Sequence, residues 1–334
     1  MRLRRQIVAA SAVAALVACS AISAFAAPLA SLANTPAGGP WSLAPGEYYT
    51  ELSGSSFQTG SSFDNGGVRQ YFVGKQQQIG LQSYTELGWK KNWSFQMSLP
   101  LVTTTVRGAT AGGSSSTGLG DIGLGLRYRF TNGSSASSLQ LRWEAPMGYN
   151  PRLEPSLGDG RQKLSATLQF GCPGVVRSSF LQLAAGYRYE YMKLARTSYL
   201  PWEFSIGNPL PPINYTAPPT DYDWSDYFTL GGAAAVWSGP LQVSYLAAMD
   251  LPRDTGRGAL NAAGTASYKT KTMEFAHGPR LTYHTDERLD TFAGCWLTSA
   301  GKNTLCFTEY YAGIAWRSTK LSRLQGFLGG ASRP

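Results

Sequence analysis

The segment WSFQMSLPL places Trp93, Phe95, Met97, Leu99 and Leu101 on one side of an extended chain, and Ser94, Gln96, Ser98 and Pro100 on the other. The pattern recurs. In SLQLRWEAPM, Leu139, Leu141, Trp143, Ala145 and Met147 alternate with Gln140, Arg142, Glu144 and Pro146. In KLSATLQF, Leu164, Ala166, Leu168 and Phe170 alternate with Lys163, Ser165, Thr167 and Gln169. A period of two is the mark of a strand with two unlike faces, because successive side chains point to opposite sides; a helix would repeat every 3.6 residues.

Twelve such segments can be counted, near 47–56, 78–89, 93–101, 117–130, 136–146, 160–171, 179–193, 225–237, 241–250, 271–284, 288–297 and 305–316. Each is close to the ~10 residues that a tilted strand needs to cross a bilayer. The connectors alternate in length. Short ones (90–92, 131–135, 171–178, 238–240, 285–287) are interleaved with mostly longer ones (57–77, 102–116, 147–159, 194–224, 251–270), the last being the short 298–304. Short turns at one end and long loops at the other are the outer-membrane barrel pattern, and an even strand number brings both chain ends to the short-turn side. The predicted fold is therefore all-β: a transmembrane antiparallel β-barrel of about twelve strands over 46–317, followed by a tail, 318–334.

The apolar face carries Trp93, Phe130, Trp143, Phe170, Tyr187, Tyr189 and Tyr191, aromatics suited to interfacial girdles. The other face carries Gln82, Glu86, Arg127, Arg129, Arg142, Glu144, Arg188, Glu190, Glu274 and Arg280. With the apolar side toward lipid, both signs of charge line the interior. Burying them dry is costly, so a water-filled lumen is expected. Charged residues make up only 15 % of the chain, and past the N-terminus there is no run of 18 apolar residues, which argues against a helical span there.

The start, MRLRRQIVAASAVAALVACSAISAFAAP, reads as a secretory signal: Arg2, Arg4 and Arg5, an apolar stretch, then Ala24-Phe25-Ala26 as a small-x-small cleavage site. Residues 1–26 are expected to be removed after Sec-type export, and 27–45 to form a linker. The rival reading takes Leu16-Val17-Ala18-Cys19 as a lipoprotein box with a lipidated Cys19. Cleavage after Ala26 lowers the formal charge from +9 to +6, spread over alternating strands without a basic run, so nothing points to nucleic acid.

TGLGDIGLGLRYRF, 117–130, resembles a phosphate-cradling loop at first sight. No helix follows it to supply N-terminal amides, and there is no Gly-Lys-Ser/Thr. As a strand it points Ile122, Leu124, Leu126, Tyr128 and Phe130 to lipid, and Leu119, Asp121, Gly123, Gly125, Arg127 and Arg129 inward. Gly123 and Gly125 then leave room for Arg142 and Glu144 of the next strand. Asp121, Arg127, Arg129, Arg142, Glu144, Arg188 and Glu190 are the expected lumen charges, with Arg127, Arg142, Glu144 and Asp121 forming a cluster that narrows the pore. The alternative is a set of scattered, solvated wall residues.

Pro100 and Pro146 each lack a ladder N–H near the expected outer end of a strand. They read either as a break in the wall, a lateral exit for an apolar solute, or simply as strand ends. Cys295 and Cys306 flank the last outer loop and are expected to form a disulfide across that hairpin. Cys172 has no evident partner. The histidines are His277 and His284; neither HGPR nor HTDE carries the serine spacing of barrel lipid hydrolases, and His284 is expected to cap a lumen end. The Pro- and Tyr-rich stretch 194–224 reads as a constricting lid or as a plain surface loop. No cofactor or metal spacing is present, and the chain is not expected to be an enzyme.

The stretch YTELGWKKNWSFQMSLPLV followed by TGLGDIGLGLRYRF resembles the outer-membrane family named after the meta-pathway of phenol degradation. The resemblance rests on Ser98-Leu99-Pro100-Leu101, Gly118, Gly120, Asp121, Leu124, Tyr128 and Arg129, and covers 83–130. It implies a barrel passing small hydrophobic or aromatic molecules, with outer-membrane lipid, such a solute and the barrel-assembly machinery as partners. The chain departs from barrels that end in an aromatic residue, since Trp316 is followed by RSTKLSRLQGFLGGASRP. The alternative function is a structural or surface-interaction barrel with a plugged lumen.

Overall fold

The computed structural model describes residues 40, 42–63, 66–107, 114–131, 135–147, 149, 157–158, 162–173, 178–191, 226–253, 259–260, 267–268, 273–302 and 304–318. The strands are β1 (Tyr48–Phe63), β2 (Arg69–Lys90), β3 (Trp93–Arg107), β4 (Ser114–Leu119), β5 (Asp121–Arg129), β6 (Ala136–Pro146), β7 (Gln162–Pro173), β8 (Ser179–Tyr191), β9 (Tyr227–Ser238), β10 (Leu241–Pro252), β11 (Ala259–Leu260), β12 (Ser267–Tyr268), β13 (Met273–His284), β14 (Leu289–Lys302) and β15 (Thr304–Arg317).

β11 and β12 form a separate two-residue hairpin. The others pair antiparallel, each with its sequence neighbours; β1 also meets β15, and the β2–β3 pairing completes the ring. β4 and β5 both lie against β3 and are two halves of one strand. The result is a closed antiparallel barrel of twelve staves, in which ladder pairing around the ring satisfies the backbone groups that lipid cannot.

The faces fall as the alternation requires. Large apolar side chains are exposed on the outside, among them Leu81, Phe95, Leu141, Leu168, Leu183, Tyr245 and Leu281. Girdles sit at both ends. Trp93, Tyr128 and Phe130 pack near the short turns, with centroid distances of 4.7 and 6.1 Å. Tyr187 packs edge-on to Phe228 at 5.6 Å near the long-loop end. The short turns follow local chemistry: Asn92 takes a φ of 68° in the Lys91-Asn92 turn, and Gly239 takes 59° before Pro240.

The loop side differs from expectation. The expected loop 57–77 is largely strand: β1 continues to Phe63 and β2 begins at Arg69, and β1 stays paired with β15 up to Phe63 opposite Thr304. Similarly β3 runs on to Arg107, seven residues past Pro100. Polar positions such as Gln76, Gln78, Thr103 and Thr105 keep pairing because ladder bonds need no apolar face.

The fourth stave also departs from expectation. Leu101 is opposite Leu119 but Ser98 is opposite Gly123, so three steps on β3 match four on its partner. The extra residue sits at Gly120 and makes a β-bulge. Because the side-chain period is two, one extra residue reverses the faces. Leu119, expected inward, is on the outer face, whereas Asp121, Gly123, Gly125, Arg127 and Arg129 do face inward.

Candidate functional site

Among the described residues, chemistry-bearing side chains converge in the lumen. Most of its charges form two tiers, in which they are paired and buried instead of standing in open water. The physical reason is that carboxylates and cations alternate around the wall within reach of one another, so each is neutralised by protein.

The first tier lies toward the short turns. Arg127 places Nη1 2.9 Å from both carboxylate oxygens of Glu86 and is 0 % exposed. Gln96, oriented with its amide oxygen toward the guanidinium, accepts from Arg127 Nε at 3.2 Å and Nη2 at 2.7 Å. Tyr84 donates to Glu86 at 3.1 Å. Around the wall, Arg280 reaches Glu51 at 3.2 Å and lies over the Phe292 ring, 3.9 Å from its centroid. Gln169 donates to Gln140 at 2.7 Å and accepts from Ser138 at 3.2 Å. With Ser94, Gln96 and Ser138 also without exposure, this tier packs as a floor.

Below it, at the turn end itself, Trp237 donates to His284 Nε2 at 3.2 Å. Nδ1 of that ring therefore carries the proton toward Asp290, 2.7 Å away. Arg317 pairs with the same Asp290. His284 caps the lumen end and has no serine beside it in this network. His277 is on the outer face, stacked with Tyr245 and hydrogen-bonded to its hydroxyl.

The second tier lies toward the loops. Arg142 donates to Glu144 at 2.7 Å and to Ser98 at 2.7 Å, and Lys163 stands 3.8 Å from the other oxygen of Glu144. Arg188 reaches Glu190 at 2.9 Å and Asp250 at 2.7 Å, and covers the Tyr227 ring at 4.7 Å. Three cations and three carboxylates thus form a neutral crescent over β6, β7, β8 and β10. The Arg142 guanidinium lies over Gly123, where a Cβ would collide with it and with Ser98 Oγ.

The seven lumen charges inferred from sequence are therefore not one cluster. Arg142, Glu144, Arg188 and Glu190 share the loop-side crescent. Arg127 belongs to the floor, with Glu86. Arg129, at the turn end, donates to the Thr131 carbonyl at 2.7 Å. Asp121 accepts from the Tyr149 hydroxyl. Lys163, Asp250, Glu51 and Asp290 are partners that strand-by-strand reading missed. Lys163 was visible as a polar-face residue of its strand; the others become partners only once the ring closes.

The two prolines stand on either side of the bulge. Pro100 accepts from Gly120 N at 3.0 Å, so its missing N–H is on the β4–β5 side. Pro146 is opposite Asp121 on the other flank. β6 ends at Pro146, but β3 does not end at Pro100, which corrects the strand-end reading there. Leu157 is buried and packs against the inward-facing Gly118 beside this seam.

Cys295 and Cys306 are both free, which corrects the expected disulfide. Cys295 faces outward opposite Tyr310, whereas Cys306 is buried and donates to the Thr298 carbonyl at 3.6 Å. The barrel wall separates the two thiols, and no hairpin staple can join opposite faces. Cys172 is also free. The segment 194–224 lies outside the described residues.

No protein-family model matches the chain, and no curated protein does. Among solved structures, it is similar to the COG4313 outer membrane channel from Pseudomonas putida F1, at 13 % identity and a TM-score of 0.65, covering 85 % of this chain and 99 % of that one. Weaker likenesses are to the KdgM porin in complex with disordered oligogalacturonate (7 % identity, 80 % and 98 % coverage, TM-score 0.42). A TodX monoaromatic hydrocarbon channel mutant gives 10 % identity, 89 % and 96 % coverage and a TM-score of 0.41. The first likeness covers most of this chain, and the fold is that of an outer-membrane β-barrel.

Proposed function

We propose that this barrel sits in the bacterial outer membrane after Sec-type export and passes small hydrophobic or aromatic compounds without an energy source. One observation carries the reading: the loop-side lumen is amphipathic. The charged crescent over β6–β10 looks across at Phe57, Trp296, Phe307 and Leu246 on β1, β14, β15 and β10. An ion or sugar pore has no use for such a wall, whereas an apolar solute needs it.

The polar floor bears on the route. With Arg127, Gln96, Ser94 and Ser138 unexposed, the straight path to the short-turn end is obstructed. The seam of Pro100, Gly120, Asp121 and Pro146 lies on the loop side of that floor and supplies a wall break through which an apolar solute leaves sideways into lipid. Of the residues that carry the family resemblance, Ser98-Leu99-Pro100-Leu101, Gly118, Gly120 and Asp121 lie at this seam. Insertion by the barrel-assembly machinery belongs to the same reading.

The packed floor also favours a second reading, a plugged barrel with a structural or surface role. Uptake separates the two. A deletion strain accumulating a labelled aromatic solute several-fold more slowly than wild type supports the channel; equal accumulation, with no conductance in planar bilayers, supports the plug.

A further inference from the structure

The apolar half of the lumen contains a carboxylate. Glu309 is opposite Phe57 on β1 and opposite Trp296 on β14, with Phe307 two residues before it. It is 4 % exposed. Unlike the carboxylates of the two tiers, it has no ion-pair partner among the described residues; Ser55 hydrogen-bonds it. Arg280 is committed to Glu51.

Other oxygens around the same cluster lack hydrogen-bond partners altogether. Thr298 Oγ1, Tyr311 Oη and Asp250 Oδ1 are buried without a hydrogen bond. Tyr311 is two residues from Glu309 on the same face, Thr298 two from Trp296, and Asp250 two from Ala248, which is itself part of the cluster. These atoms are all acceptors, or hydroxyls that can accept. Leaving them buried and unmade is costly, and what they share is the capacity to accept from a donor. A hydrocarbon brings none. A carboxylate ligand adds another acceptor and like charge beside Glu309.

We propose that Glu309, walled by Phe57, Trp296 and Phe307, is the recognition group of a lumenal subsite for apolar or aromatic molecules bearing a hydrogen-bond-donating hydroxyl. The subsite rests on the solute-channel reading and narrows it. The ring faces bury the ligand body, and the hydroxyl donates to Glu309 while accepting from a neighbouring hydroxyl. Water in the same space would satisfy these oxygens without selecting among solutes.

The test measures binding of benzyl alcohol, toluene and benzoate to the purified, folded barrel by saturation-transfer NMR titration. Benzyl alcohol is expected to bind at least about ten-fold more tightly than toluene, with benzoate weakest. Glu309→Leu removes that preference and leaves toluene binding within about three-fold. Glu309→Gln, nearly isosteric, reduces the preference and serves if the leucine variant does not assemble. Equal binding of alcohol and toluene to wild type overturns the subsite, as does an equal loss of both in the variants, while toluene binding keeps the channel reading intact. Binding of none of the three overturns both.

Discussion

Gly120 donates its backbone N–H to the carbonyl of Pro100 at 3.0 Å, at the point where the fourth stave carries one residue more than its neighbour. Pro100 has no N–H to give, and the bulge absorbs the missing ladder bond. This contact sets the phase of the charged strand after it: without the extra residue, Arg127 and Arg129 would face lipid.

That phase is testable with spin labels. Leu119→Cys is expected to report lipid, with relaxation enhanced by oxygen, and Asp121→Cys to report water, enhanced by a nickel chelate. Labels at both positions seeing the same solvent would remove the bulge.

Arg127 and Glu86 are both buried, so removing one strands the other. Arg127→Met is expected to lower stability by about 3–5 kcal/mol, and adding Glu86→Gln to recover most of it. Urea titration followed by heat-modifiable migration reads both. If the single variant unfolds at the wild-type midpoint, the pair is not a structural lock.

The floor should also control conductance. Gln96→Ala with Arg127→Ala and Glu86→Ala removes charge in balance and opens space beside Ser94 and Ser138. Planar-bilayer recordings are expected to show a conductance several-fold above wild type. An unchanged trace would mean that the axial path is blocked elsewhere.

Gly123→Ala puts a methyl where the Arg142 guanidinium and Ser98 Oγ lie. The arginine is then displaced from Ser98, at a cost of about 1–3 kcal/mol as a buried donor loses its acceptor. A Gly123→Ala barrel as stable as wild type, compared by thermal melting, would show that Arg142 moves aside freely.

The free thiols predict indifference to reductant. Gel migration of the unheated barrel is expected to be identical with and without dithiothreitol, and Cys295→Ala to leave it unaltered. A reductant-dependent shift would bring the hairpin staple back.

Much of this protein was legible in its sequence, and the reason is local. Alternation at Trp93–Leu101 or Ser138–Met147 records two unlike environments at each residue's own position, so strand number, faces and the long-loop and short-turn ends follow without knowing any contact. The inward faces of Arg127, Arg142, Arg188 and Arg280 were fixed in the same way. Their partners were not. Arg280 meets Glu51 at a separation of 229 residues, and Arg127 meets Glu86 at 41, because ring closure and register bring them together. The Gly120 bulge that reverses Leu119, the wall that separates Cys295 from Cys306, and the apolar setting of Glu309 likewise depend on neighbouring staves. One strand's sequence specifies which way each side chain points; only the closed sheet decides what it finds there.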